Sequence, residues 1–502
     1  MAILIIISII VFQSPIIVFA QMAQTEDEEM IIRNRWSEIK SSIIEVPFEE
    51  ILEEGETLIT DGSANYIPRL EQLMAKANEA YLDDGKMRVI KFPVGTFNFP
   101  IDNPTAKCVS GVGFRGAGKI DNGDGTYTYL TKLTPTQTIL GTNPDYNTTQ
   151  VHEDIIIDCL EIDCSGQEVI ESISKFWYVY KAIYVERVDN WWMNDVYAHD
   201  SLGTLFGLDY IYSEGVYHID CRAVNSGRAG TADVSGPGAG FGITSGRSAS
   251  EPCKFVGCIA ENCKTGGYYF EIRSNKVDLP VGYSILNCKA FDCSFGVDDQ
   301  GVDDLIIENS SFYRNSSYGI RRGGTTSGAG SNAFPGDMYC KNTKIYSNGS
   351  VSNVAIRSAG VGFTERLQEI DKNDHCEQVF ENCEIYNNRG YGISNTYSVP
   401  RYLKLKGSTK IYNNGGSGIH IREGKDNTEI LTLTTEGDNV EIYNNGICAD
   451  TALYATENGS ATGVYGDAVT LSVNSNNNNM KFKAYGNKSR VIAFREYMGN
   501  DN

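Results

Sequence analysis

The chain has 502 residues, of which 41% are apolar and 11% aromatic, too rich in core formers for a disordered polymer. Asp and Glu outnumber Lys and Arg by 64 to 43, a formal charge of −21, which argues against nucleic acid or an anionic membrane surface as the main partner. Fifty-one glycines against 13 prolines suit many tight turns, and five histidines leave little material for a His-based metal or acid–base site.

Residues 2–20 (AILIIISIIVFQSPIIVFA) form one apolar run ending Val18-Phe19-Ala20, the pattern of a secretory signal peptide. The run lacks a basic start and is near the minimum length for spanning a bilayer, so an uncleaved membrane anchor is the alternative. Either reading exports the remainder, to a secreted or cell-surface location. Residues 21–60 read as an acidic, mostly helical lead-in; between 26 and 56 it carries eleven acidic and three basic side chains, which predicts a solvated or loosely docked segment. Residues 61–97 hold a capping helix and a first strand. Ile67, Leu70, Leu73, Met74, Ala77 and Tyr81 recur at helical spacing between 65 and 82, and Arg88 to Phe97 alternates as a strand. Residues 98–490 are repetitive, and 491–502 form a tail. Thirteen cysteines are an odd number, and none has zinc-ribbon spacing.

Nine segments align: NDVYAHDS, DCRAVNS, GCIAENC, NCKAFDC, NSSFYRNS, NTKIYSN, NCEIYNN, STKIYNN and NVEIYNN. Their small anchors are Val196, Cys221, Cys258, Cys288, Ser311, Thr343, Cys383, Thr409 and Val440, spaced 23 to 40 residues apart. Two residues on stand Ala198, Ala223, Ala260, Ala290, Tyr313, Ile345, Ile385, Ile411 and Ile442; four residues on stand Asp200, Asn225, Asn262, Asp292, Asn315, Ser347, Asn387, Asn413 and Asn444. The alternation places the first two columns inside a stack of strands about 4.8 Å apart, and the Asn/Asp column where each coil turns. A stack of short parallel strands is a parallel β-helix, an all-β solenoid. Its cysteines are most simply small hydrophobic core filler, with inter-coil disulfides as the alternative.

A second column reads glycine-apolar-polar: FGLDY (206–210), FGITS (241–245), FGVDD (295–299), YGIRR (318–322), VGFTE (361–365), YGISN (391–395) and SGIHI (417–421), with GGYYFEIR (266–273) as a variant. If glycine marks the bend, the outward ladder is Asp209, Thr244, Glu271 with Arg273, Asp298 with Asp299, Arg321 with Arg322, then Thr364, Ser394 and His420. Its charges concentrate on the middle coils.

Asp61-Gly62, the helix at 65–82 and the strand ending Phe92-Pro-Val-Gly-Thr-Phe97 together resemble the opening of pectate-lyase-like proteins, whose fold is a right-handed parallel β-helix with an N-terminal capping helix. The resemblance covers roughly residues 60–490 and implies that fold. Within the superfamily, VYAHDSLGTLFGLDY followed by HIDCRAVNSGRAG is similar to the catalytic module of mannuronan C5-epimerases. Phe206 stands at that motif's tyrosine and Asp209 at its aspartate, while Tyr210 replaces a proline and Ile211 the catalytic histidine. The resemblance implies an outward Asp209 on a sugar-binding face.

Two chemistries fit an extracellular polysaccharide. Hydrolysis needs two carboxyl groups, and Asp209, Glu271, Asp298 and Asp299 are the candidates. Lyase or epimerase chemistry on a uronate needs a cation beside the substrate carboxylate and a base for the C5 proton; Arg321, Arg273 and Arg322 with Tyr210, Tyr212 or Tyr269 fit those roles. Each has an ordinary reading too. GVDDQGVDDL is a solvated loop or a Ca²⁺ site, and Arg321-Arg322 a structural ladder with its aspartates. His199 and His218, on strands near Asp209, are partly buried histidines or else a catalytic base, and Trp191-Trp192 pack on the core or stack on sugar. The Gly/Ser-rich inserts at 226–252 and 322–337 are groove walls. The remaining classes are a carbohydrate-active enzyme, a non-catalytic carbohydrate-binding or adhesion protein, and a structural surface protein.

Overall fold

The structure is a computed structural model that describes residues 25–100, 105–141, 151–169, 180–209, 214–229, 238–244, 253–271, 282–300, 302, 304–323, 336–349, 359–364, 376–395, 401–422, 431–436, 439–446, 463–464, 483–485 and 492–495. Among these residues are two α-helices, a short 3₁₀ turn, a 25-stranded sheet, a 13-stranded sheet and a hairpin of Lys119–Asp121 with Tyr127–Tyr129. In the long sheet Lys254–Val256 pairs with Ser284–Leu286, which pairs with Leu305–Glu308, then Met338–Lys341, then Cys376–Glu381, all parallel. The second sheet stacks in the same sense, except that Gly463–Val464 pairs antiparallel with Ile492–Arg495. The chain is therefore a parallel β-helix, right-handed as parallel crossovers are.

The helix Ile67–Asp84 buries Ile67, Leu70, Leu73, Met74, Ala77 and Tyr81, the predicted stripe, and ends on Gly85 at φ 69°. The segment before it is not loosely docked. Ile44–Pro47 pairs with Arg88–Lys91, and Phe48, buried, stacks on Phe92 at 4.5 Å. Phe48 and Ile51, both buried, with Val46 half-buried beside them, outweigh the surrounding acid count. Helix Thr25–Ser42 forms a separate unit, with Ile32 and Trp36 buried and an Arg33–Glu29 pair at 2.8 Å. The signal-like run lies outside the described residues, among which no helix is long and apolar enough to cross a membrane. Ile492–Arg495, in the expected tail, pairs with Ile419–Arg422 as a further rung.

Inside, the anchor column is as expected: Val196, Cys221, Cys258, Cys288, Thr343, Cys383, Thr409 and Val440 are all buried. One segment slips by a residue. Cys288 N donates to Ser310 Oγ (3.0 Å), so Ser310 takes the anchor place in NSSFYRNS rather than Ser311. Phe312 then enters the core, and Arg314, at φ 55°, makes the turn expected of Asn315. Either serine suits an anchor, but only one choice buries the phenylalanine. The other eight turn residues, Asp200 to Asn444, have φ between 53° and 60°. A ladder of stacked amides lies one residue after the turn column. Asn315, Asn348, Asn388, Asn414 and Asn445 are buried, each Nδ2 donating to the next Oδ1 at 2.9–3.0 Å. The eleven cysteines whose state is described are free, and all but Cys159 are buried as filler.

Outside, Phe291, Tyr313, Tyr346, Tyr386, Tyr412 and Tyr443 stack at 4.9–5.0 Å with nearly parallel rings. Two rows beside them alternate in charge. One reads Glu308, Lys341, Glu381, Lys406, Glu436, and the other Lys344, Glu384, Lys410, Glu441, Lys483.

Candidate functional site

Register on the second sheet decides which expected site residues share a face. Phe206, Phe241, Tyr268, Val297 and Ile320 form one inward row. The next, outward row is Tyr184, Gly207, Gly242, Tyr269, Asp298 and Arg321. Then comes an inward row of Leu208, Ile243, Phe270, Asp299, Arg322 and Phe363, and after it Glu186, Asp209, Thr244 and Glu271 in one register row.

Two expectations are corrected here. Asp299 and Arg322 do not belong to the outward ladder, because alternation turns them inward beside Asp298 and Arg321. Asp209 and Asp298 occupy different rows, because the FG pattern merges two glycine columns. Gly296 and Gly319 belong with Gly267, Gly360 and Gly392, where an added Cβ would press on the next coil's glycine carbonyl. Gly207 and Gly242 sit two positions further along, in the row of Tyr269.

Asp298 is fully buried and accepts both arms of Arg321, at 2.7 and 2.6 Å, while Arg321 lies over the Phe295 ring at 4.3 Å. Burial raises the Asp298 carboxyl above the usual range, and Arg321 pulls the other way. The two-armed contact is that of an ion pair, with 27% of the Arg321 side chain exposed. Tyr269, also buried, accepts from Gln300 Nε2 at 3.2 Å. Asp299 and Arg322 make an ion pair at 2.8 Å with neither side chain exposed. Arg322 also donates to Gly336 O, Gln378 Oε1 and Val302 O at 2.7–2.9 Å. These contacts fasten neighbouring coils and leave the pair no access to substrate. Of the four carboxylates in GVDDQGVDDL, Asp298 and Asp299 are held by arginine, and Asp303 lies outside the described residues. So do Tyr210, Tyr212 and Arg273, and most of the two inserts. Glu271 and Asp209 are located by their register alone.

A second polar group, on the long sheet, was not singled out as a site from the sequence. Glu161 and Asp163 end strand His152–Asp163, and Asp163 pairs in register with His199 on Val188–His199. Lys132 Nζ is 2.7 Å from Glu161 Oε1 and 3.3 Å from Asp163 Oδ2. His199 Nε2 is 3.2 Å from Glu161 Oε1, and its Nδ1 is 2.7 Å from Asp200 Oδ2. Burial alone would lower the imidazole's pKa, but hydrogen bonds to Glu161 and Asp200 outweigh it and raise it. Glu161, Asp163 and His199 offer ligand atoms within 4.8 Å of one another. The hairpin stands nearby, with Tyr129 stacked on Tyr197 at 6.0 Å and Lys119 and Tyr129 both bonded to Asp195. The signal was present in the sequence as alternation, ExD facing YxH, once the strands are set in register. His218, by contrast, is an apolar-core residue: it is buried, stacks on Phe255 at 4.7 Å, and burial lowers its pKa to about 3.

No protein-family model matches the sequence, and no curated protein does. Solved structures that resemble it include the A-module of a mannuronan C-5 epimerase from Azotobacter vinelandii, at 11% identity over 90% of this chain and 100% of the other, TM-score 0.45. A second is PfbA, a surface adhesin of Streptococcus pneumoniae, at 12% identity over 91% of this chain and 97% of the other, TM-score 0.47. A third is the catalytic unit of an α-1,3-glucanase from Streptomyces thermodiastaticus, at 8% identity over 89% of this chain and 68% of the other, TM-score 0.46. On the register of its own coils, the chain has a parallel β-helix fold with an N-terminal capping helix.

Proposed function

We propose that the protein is an exported carbohydrate-active protein that binds a polysaccharide along the outward face of the second sheet and hydrolyses it. The observation that carries this reading is the register row Glu186, Asp209, Thr244, Glu271. Strand spacing sets Glu186 about 5 Å and Glu271 about 10 Å from Asp209 along the row. Those separations bracket the ones that retaining and inverting glycosidases use. Asp209 and Glu271 are the proposed catalytic pair, and Arg321, partly exposed in the neighbouring row, would border the bound sugar.

Lyase or epimerase action on a uronate is less well supported. It needs a cation for the substrate carboxylate, and Arg321 and Arg322 are each committed to an aspartate. Non-catalytic binding is the second reading, favoured by Ile211 at the position where the epimerase-like motif has its histidine. The test is a screen of the purified protein against neutral glycans, alginate and pectate, following new reducing ends and unsaturated uronate ends together. New reducing ends that vanish in Asp209→Asn and Glu271→Gln are expected. Unsaturated ends would replace the hydrolase with a lyase, and glycan binding without any product would leave the adhesion reading.

A further inference from the structure

We propose that Glu161, Asp163 and His199 form a divalent transition-metal site whose place is held by Lys132. The three side chains stand on one face of two adjacent parallel strands, and backbone pairing of Asp163 with His199 sets their spacing. Their ligand atoms already lie within 4.8 Å of one another, so a common ion needs only side-chain adjustment. One imidazole nitrogen with two carboxylates suits Zn²⁺, Co²⁺ or Mn²⁺ rather than Ca²⁺, which prefers oxygen alone.

A second observation comes from the far side of the imidazole. His199 Nδ1 is 2.7 Å from Asp200 Oδ2, which fixes the ring so that Nε2 faces Glu161. A carboxylate behind the ligating histidine is the usual support of a metal-bound imidazole. Asp200 is itself held, since it makes a turn at φ 60° and its other oxygen accepts from Asn225 Nδ2. Asp163 is oriented too, by Ser165 N donating to its Oδ1 at 3.0 Å.

Lys132 is the cation already there. Its ammonium bridges Glu161 and Asp163, yet 36% of its side chain is exposed, so the flexible stem can carry the charge into solvent. A dication brings two charges to the position one ammonium vacates. Metal and Lys132 therefore compete for the same two carboxylates, and removal of the lysine charge strengthens metal binding.

Titration calorimetry and visible spectra of the full chain with Co²⁺ test this, because cobalt spectra separate nitrogen and oxygen ligands from thiolate. One Co²⁺ per chain is expected, with Lys132→Met binding about tenfold tighter and His199→Ala and Glu161→Gln about 10–100-fold weaker. Lys132→Met guards against a loss that is only misfolding, since its effect is a gain. The proposal is overturned by no saturable binding in either wild type or Lys132→Met, by equal binding in His199→Ala, by thiolate bands, or by Ca²⁺ binding as tightly as Co²⁺.

Discussion

Before Asn315 the innermost polar column reads Ser226, Cys263, Cys293; after it, Asn348, Asn388, Asn414, Asn445. The early coils carry two 12-residue strands and a mixed aromatic core of Trp191, Phe206, His218 and Phe241. The later coils repeat three-residue strands, KIY and EIY in turn, with isoleucine inside and tyrosine outside. Late coils gain by making one good contact many times, and a stacked amide ladder strengthens with each rung. Early coils use contacts that occur once. Both proposed sites lie there, since a repeated surface offers no position different enough from its neighbours to hold a single ligand.

Substitutions at three places would break or sharpen that contrast. The largest effect is expected at Arg322, on the coil of Asn315 where the two regions meet, which ties Asp299 and Val302 to Gly336 and Gln378. Arg322→Met leaves Asp299 charged and buried and should cost about 3–5 kcal/mol in urea unfolding, with Asp299→Asn added to it restoring part of the loss. A cost under about 1 kcal/mol would mean the junction between the two regions does not rely on such contacts. In the ladder, Asn388→Ala strips partners from both Asn348 and Asn414 and should cost about 2 kcal/mol, with the same value at Asn414→Ala if the rungs are equivalent. Unequal costs would argue against a uniform late region.

The smallest effect concerns His218. Its folded pKa, about 3, lies below the ordinary 6.5, so the unfolded chain takes up a proton that the folded chain does not. Stability is therefore unaffected above pH 6.5 and falls as the pH drops below it. The loss attributable to this residue is about 1 kcal/mol between pH 6.5 and 5.5. His218→Phe, between Phe241 and Phe255, should flatten that slope in melts over the same range. An unchanged slope would place the acid sensitivity elsewhere.

How far the molecule can be read from its residues follows from the same contrast. Helical spacing was enough for the capping helix, and alternation with small-residue columns for the solenoid and the interior cysteines, because burial repeats the same demand at every coil. They were not enough for absolute register. Two adjacent serines left Ser310 and Ser311 equivalent until Phe312 had to be buried, and two glycine columns two positions apart looked like one. The second slip put Asp209 and Asp298 in one row and hid that Asp299 and Arg322 turn inward. The Glu161–His199 group was harder still, since its members come from Lys132 to Asp200 and only coil-to-coil pairing brings them together.

The charged rows in the late coils have a consequence for how this chain can lengthen or shorten. Rung by rung, Lys341 and Lys344 are followed by Glu381 and Glu384, then Lys406 and Lys410, then Glu436 and Glu441. The backbone repeats every coil, but the charge repeats every second coil. Losing a single coil would set lysine against lysine or glutamate against glutamate, whereas losing two would restore every opposite pair. The natural unit of duplication or deletion in this region is therefore a pair of coils.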